Sequence, residues 1–224
     1  MIKDLSGQPF LNNFYASAIK NASTYNGKVY SVPSGLVAYT GIMYNKDIFS
    51  KYNLQVPKTY SDFVHVADVL KSHGVSVITT GAKEAWPVNL MAYSIMAGYQ
   101  PDQMATLKGL WTGSVKFTDP KMVLLLQHAQ KFLSYMETNF TGEDSSAALG
   151  RFASGQTAML LTGSWDAPTA LSTNPGIQLG YFPTPLSDTA SDNLHLQGKY
   201  ADEWYIAAHS KNQDAALKWA PVFL

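Results

Sequence analysis

Three places in the chain set a carboxylate beside a tryptophan. Trp165 and Asp166 are adjacent, Glu84 lies just ahead of Trp86, and Asp202 lies just ahead of Trp204. An indole face can stack on the C–H face of a sugar ring, while a carboxylate accepts hydrogen bonds from hydroxyl groups. The pattern points to recognition of a neutral, hydroxyl-rich ligand. The plain alternative for each is a tryptophan packed between neighbouring elements, since Trp is largely buried on average. Three acid-plus-aromatic pairs at element junctions are harder to dismiss than one. Trp111, in a polar turn after a helical stretch, and Trp219, in the last helix, read as packing residues.

Other chemistries find little support. There is no G-x-S-x-G elbow, no phosphate-binding G-x-x-x-x-G-K-[ST] loop, no G-x-G-x-x-G and no H-E-x-x-H. His65, His73, His128, His195 and His209 show no metal-ligand spacing, and each reads as an ordinary helix or loop histidine. Two carboxylates can hydrolyse a glycoside, but spacing alone selects no such pair. The chain has no cysteine, which removes disulfides, thiol chemistry and Cys-based zinc sites. Its 16 basic and 16 acidic residues cancel, so it lacks the basic stripe of a nucleic-acid surface. Arg151 is the only arginine. Scarcity of the residue best suited to grip carboxylate or phosphate weighs against a phosphorylated or dicarboxylate ligand. No apolar run reaches the length of about 18 residues expected of a membrane span. The opening MIKDLSGQPF is not a signal peptide, so the protein is either intracellular or read here without its leader.

The tryptophans need elements to hold them. Ala148, Leu149 and Phe152 share one helical face, Gly155 suits a left-handed cap, and Ala158–Leu161 forms a buried strand. Gly163-Ser164 then turns the chain into a second helix, with Pro168 tolerated in its first turn. Thr59 with Asp62 resembles a capping box, followed by Phe63, Val66, Ala67 and Leu70 at helical spacing up to Gly74. Strands are expected over 36–44, 75–80, 177–182 and 205–208. Helices are expected over 9–22, 46–52, 87–98, 119–136 and 212–223. The 119–136 helix should turn Met122, Leu125, Leu126, Ala129, Leu133 and Met136 inward. Asn26-Gly27 marks a hairpin, Asp144 reads as an N-cap, and 183–198 is the best linker. Strands alternating with helices imply an α/β fold.

Four segments, in order, resemble the sugar-type extracellular solute-binding proteins of ABC importers, the group that includes maltose-binding protein. They are Tyr25–Pro33; Met43–Asp47 with Pro57–Tyr60; Phe152–Trp165 with its G-x-x-A-M core; and Ser210–Ala216. The resemblance spans nearly the whole chain. It implies a type II periplasmic-binding-protein-like α/β fold, mostly the C-terminal lobe with parts of the N-terminal lobe. Residues 1–37 would belong to the N-terminal lobe and first crossing, and 38–183 to the C-terminal lobe. Residues 184–224 would form the second crossing and the return. Family members are longer, with an initial βαβ portion and last helices not matched here, so the chain reads as a fragment.

The resemblance places Trp86 and Trp165 at sugar-stacking positions of the C-terminal lobe, with Glu84 beside the first; Asp166 is a candidate by its adjacency to Trp165. It places Tyr39 near the hinge, and Asp202 with Trp204 on the returning strand. It implies a carbohydrate ligand, permease subunits as partners, no cofactor and no catalysis. The location would be extracellular, cell-surface or periplasmic, with membrane contact only through the permease or a lipid anchor. A glycoside hydrolase with the same aromatic cleft and a solute-binding sensor domain are the rival readings. Product release from an oligosaccharide separates the first of these.

Overall fold

The computed structural model describes residues 1–33, 37–99, 102–200 and 203–220. In chain order these form α1 (Ala16–Ala18), β1 (Thr24–Tyr25), β2 (Lys28–Val29), β3 (Val32–Pro33), β4 (Val37–Asn45), α2 (Lys46–Lys51), α3 (Tyr60–Ser72), β5 (Ser76–Thr79) and α4 (Trp86–Ala97). There follow α5 (Gln103–Thr112), α6 (Pro120–Leu133), α7 (Ser145–Ala153), β6 (Thr157–Gly163), α8 (Ala167–Thr173), β7 (Leu179–Phe182), β8 (Gln197–Tyr200), β9 (Glu203–Trp204) and α9 (Gln213–Trp219). The chain divides into two compact units, Met1–Ala38 with Gly198–Leu224, and Tyr39–Gln197.

The larger unit is built on one mixed sheet in the order β5-β6-β4-β7, with β8 also pairing with β4. β4 runs antiparallel to β6 and β7, and β5 runs parallel to β6. All 7 residues of β6 are buried. A strand covered on both faces favours apolar side chains on both, which is why its centre, 158–161, reads as an unbroken run rather than an alternation. Side chains still alternate between the two faces. Ile42, Met159 and Leu161 meet Phe63 and Leu70 of α3 and Met122, Leu125 and Phe132 of α6. Met43 and Leu160 meet Leu149 and Phe152 of α7 and Ala170 of α8.

Helix starts are fixed by short polar side chains. Thr59 Oγ1 accepts from the Asp62 N–H while the Asp62 carboxylate accepts from the N–H groups of Lys58 and Thr59. These bonds, the Lys58 N–H foremost, hold the Asp62 carboxyl below its usual range. Asp144 accepts from the Ala147 N–H to start α7, and Asn45 accepts from Asp47 and Ile48 to start α2.

Several expectations are corrected. α6 ends at Leu133, and its buried stripe is Met122, Leu125, Ala129 and Phe132. Leu126 falls off that stripe and is exposed, Leu133 is half-buried, and Met136 is buried beyond the helix beside Ile78. Trp111 is not a packing residue: it ends α5 with 92% exposure, because that helix buries its small residues Thr106 and Gly109 instead. The expected helix over 9–22 breaks into a 3-10 turn, α1 and a π turn, since Phe14 and Tyr15 are extended.

Pro183–Leu196 stays with the larger unit. Leu186 is in its core, the Tyr60 N–H donates to Ser187 O, and Ser61 donates from both N–H and hydroxyl to Asp188. The Asn193 side-chain amide donates to Lys58 O and Ser187 O.

In the smaller unit, β1 and β2 form the hairpin expected at Asn26-Gly27, where φ values of 48° and 74° suit a type I′ turn. β3 pairs antiparallel with β9, setting Val32 opposite Trp204, so the strand expected over 205–208 lies earlier in the chain. Leu5, Phe10, Val32 and Ile206 form the local core.

Phe63 stacks on Phe132 with ring centroids 4.4 Å apart and is fully buried. Phe63→Ala is expected to cost about 3–5 kcal/mol of unfolding free energy, and Thr59→Ala about 1 kcal/mol through loss of the cap. Urea denaturation of the two variants side by side measures both.

Candidate functional site

The site begins where β6 stops pairing with β4. The last rung sets Thr40 opposite Gly163. The next would set Tyr39 opposite Ser164, but Ser164–Asp166 has already turned into a 3-10 helix. The Ser164 hydroxyl takes over as acceptor, receiving the Tyr39 N–H at 3.1 Å. The Trp165 ring folds back over Gly163 so closely that a Cβ there would lie 2.0 Å from its Cζ3. Only glycine leaves room for it. The ring is 39% exposed, and Pro168 sits in the first turn of α8 just beyond.

Asp166 accepts a short hydrogen bond from the Thr162 hydroxyl. Burial pushes the Asp166 carboxyl above its usual range, and the Thr162 bond opposes that shift without cancelling it. Next to it the Tyr181 hydroxyl donates to Thr162 O at 2.9 Å and Tyr39 O at 3.0 Å. Burial first, then the Asp166 charge, push the Tyr181 phenol far above its ordinary range, so it stays a neutral donor.

Trp86 opens α4 and is 37% exposed. Its ring centroid lies 5.8 Å from that of Trp165, with the planes inclined by 55°. The turn before it is strained. Ala85 has φ 62° and ψ −32°, and the Trp86 N–H reaches back to Glu84 O at 2.7 Å. Such a positive-φ turn at a residue other than glycine costs on the order of 1–3 kcal/mol and persists only where its surroundings hold it. Glu84 supplies part of that hold: its carboxylate accepts the Ser145 N–H at 3.1 Å, tying the turn to the start of α7.

The larger unit thus holds Tyr39 to Ser164 and Asp166 to Thr162 by hydrogen bonds, on either side of Trp165, and brings Trp86 to Trp165 by ring contact, with Glu84 as an anchor behind Trp86. Trp204 lies in the smaller unit, edge-on to Trp219 at 5.4 Å. Asp202 lies outside the described residues. Sequence reasoning missed Ser164 and Tyr181 as parts of the site. The register of β4 against β6 and β7 is the signal that finds them, and a single sequence does not print register. Among the described residues, no group of three or more His, Cys, Asp or Glu is placed to hold a metal ion.

The sequence pattern of bacterial extracellular solute-binding proteins matches residues 3–224. The chain belongs to that family. It is 25% identical over 215 residues to an ABC transporter extracellular-binding protein of Pyrococcus horikoshii, covering 92% of this chain and 45% of that protein. It is 27% identical over 205 residues to the multiple sugar-binding protein of Streptococcus mutans, covering 84% of this chain and 46% of that protein. The solved structure of a chitin oligosaccharide binding protein superposes with a TM-score of 0.82 at 23% identity, covering 99% of this chain and 56% of that one. The fold is therefore α/β of the type II periplasmic-binding-protein kind, as the resemblance implied. The chain spans about half the length of the curated relatives it matches.

Asp166 offers a test by pH. Its folded pKa is raised, so its contribution to stability is fully present below its unfolded pKa and is lost as pH rises through the folded value. Asp166→Asn keeps the acceptor and removes the titration. The stability of the wild type relative to this variant is expected to fall between about pH 3 and about pH 7. Urea denaturation of both proteins at the two pH values reads the difference.

Proposed function

We propose that this protein binds a mono- or oligosaccharide outside the cell and delivers it to the permease of an ABC importer, without catalysing a reaction. The observation that carries the reading is the half-exposed Trp86–Trp165 pair beside Asp166, with Trp165 laid over a glycine at the end of a buried strand. Indole faces offer flat apolar area to the C–H faces of sugar rings, and Asp166 offers acceptor lone pairs to hydroxyl donors. Planes inclined by 55° cannot both lie parallel to one ring, so the pair fits a ligand of two or more rings best. The name of the Streptococcus mutans relative, a multiple sugar-binding protein, points to the same ligand class.

We read Tyr39–Gln197 as the C-terminal lobe and the flanking segments as portions of the N-terminal lobe. Trp204 and Asp202 are further ligand-binding candidates of this reading. A ligand that bridges two lobes favours the closed form through contacts made only there, and the permease would read that form.

A thermal-shift screen of the full-length protein against saccharides, amino acids and peptides tests this. A ligand present at about 100 times its Kd adds about 2.7 kcal/mol of stability. Saccharides are expected to shift the melting temperature and to be recovered intact. Shifts with amino acids or peptides but no saccharide would overturn the carbohydrate assignment, and released product would move the protein to the hydrolases. Trp165→Ala should weaken saccharide binding by roughly 2 kcal/mol or more, the scale of an aromatic anchor, while melting without ligand changes less. Paired calorimetry and melting of wild type and variant check this; normal binding with a much lower melting point would make Trp165 a core residue.

A further inference from the structure

The chain passes from the smaller unit to the larger between Ala38 and Tyr39, and back between Gln197 and Gly198. At both places the residue on the larger unit's side has its backbone fixed by side chains. The Tyr39 N–H donates to Ser164 Oγ at 3.1 Å, and its carbonyl accepts from Tyr181 Oη at 3.0 Å. The Gln197 carbonyl accepts from Thr40 Oγ1 at 3.4 Å, and its side-chain amide exchanges hydrogen bonds with that of Gln103 at 2.8 and 3.4 Å.

The first clamp is continuous with the candidate site. Ser164, which receives the Tyr39 N–H, directly precedes Trp165. Tyr181 shares its one hydroxyl proton between Tyr39 O and Thr162 O, and Thr162 gives its own hydroxyl proton to Asp166. Glycine at position 41 leaves room beside the Tyr181 ring: a Cβ there would stand 2.6 Å from Phe182 O, which forces a shift, and 3.1 Å from Tyr181 Cε1, which crowds the ring. Ser164 of the turn is therefore bonded directly to the Tyr39 N–H, and Asp166 is linked to the Tyr39 carbonyl through Thr162 and the Tyr181 hydroxyl. Backbone pairing alone would not do this, because β6 leaves the β4 ladder at Gly163.

We propose that Ser164 and Tyr181 are positioning residues that couple the Trp165–Asp166 turn to Tyr39, so that solute binding on the turn is registered at the strand where the chain changes units. The proposal rests on the reading of that turn as a carbohydrate site. A ligand can bias a conformational equilibrium only through interactions that differ between states. A contiguous chain of hydrogen bonds with defined members is a physical route for such a bias.

The test combines calorimetry and residue-resolved amide exchange on the full-length protein, with raffinose and diacetylchitobiose as probes and Ser164→Ala, Tyr181→Phe and Ser164→Thr as variants. A bound probe should slow exchange of the Tyr39 amide in the wild type. Ser164→Ala and Tyr181→Phe should each abolish that slowing and weaken binding about tenfold, within the usual range of site-to-site coupling. Ser164→Thr, which keeps the hydroxyl, should restore both. A lowered melting temperature with affinity and ligand-induced Tyr39 protection unchanged would make both residues merely structural and overturn the proposal. If the wild type binds neither probe, the carbohydrate reading fails for these sugars, and the coupling is judged in the ligand-free protein. Ser164→Ala and Tyr181→Phe must then speed exchange at Tyr39 together with the amides of 164–166 while α3 keeps its rates. A change confined to Tyr39 would overturn it.

Discussion

The pairing of β4 with β6 is the constraint on which the larger unit depends. Their ladder runs from Tyr44–Met159 to Thr40–Gly163 and lies between two apolar clusters, one under α3 and α6 and one under α7 and α8. Because both faces are covered, a one-residue slip would exchange the side chains between clusters of different size and shape. The register is thereby fixed, and so is the point where β6 leaves the ladder. That departure presents a backbone N–H, that of Tyr39, with no ladder partner. The Ser164 hydroxyl satisfies it. Tyr39 is itself exposed, so this bond fixes the turn against β4 rather than rescuing a buried donor.

Two glycines clear the ground for the aromatic groups around this point. Gly163 lets the Trp165 indole lie flat on the end of β6, and Gly41 lets the Tyr181 ring cross β4. A side chain at 163 would collide with the indole, and one at 41 would collide with the Phe182 carbonyl and crowd the Tyr181 ring. Trp165 is thus held by backbone beneath it and by Trp86 beside it, which limits its rotamers before any ligand arrives. A preorganised aromatic surface loses less entropy on binding than a free one.

Much of this was legible in the sequence, for identifiable reasons. The β6 run, the Gly155 cap, the Thr59–Asp62 capping box, the Asn26-Gly27 hairpin and the Asp144 N-cap all rest on local rules, and local rules survive folding when nothing opposes them. Trp165 and Trp86 stand out in the sequence because their chemistry is distinctive. What was missed depends on partners distant in the chain. Leu126 looks like a core residue by hydropathy, but its angular position turns it away from the stripe that ends in Phe132. Trp111 looks like a packing residue, but α5 buries its small face. Pro183–Leu196 has a linker's composition, yet Leu186 and the Asn193 amide fasten it to α3 and the core. Tyr181 was invisible because its hydroxyl acts two strands away from its own backbone.

The electrostatics of the site select among ligands on physical grounds. Asp166 is half-buried, and its charged form is penalised by desolvation that one hydroxyl bond only partly offsets. Such a carboxylate gains from further hydrogen-bond donors and loses from a nearby anion. The Tyr181 phenol beside it is held neutral, so it adds no charge. Arg151, the only arginine in the chain, is engaged with Glu143 at 3.1 Å and does not furnish a guanidinium fork for a phosphate or carboxylate. Two apolar faces and one under-solvated acceptor favour a solute with hydroxyl donors, apolar ring faces and no negative charge. On the proposed reading, a neutral ligand would be held by stacking area and by hydrogen bonds to Asp166, whose turn the β4–β6 ladder positions.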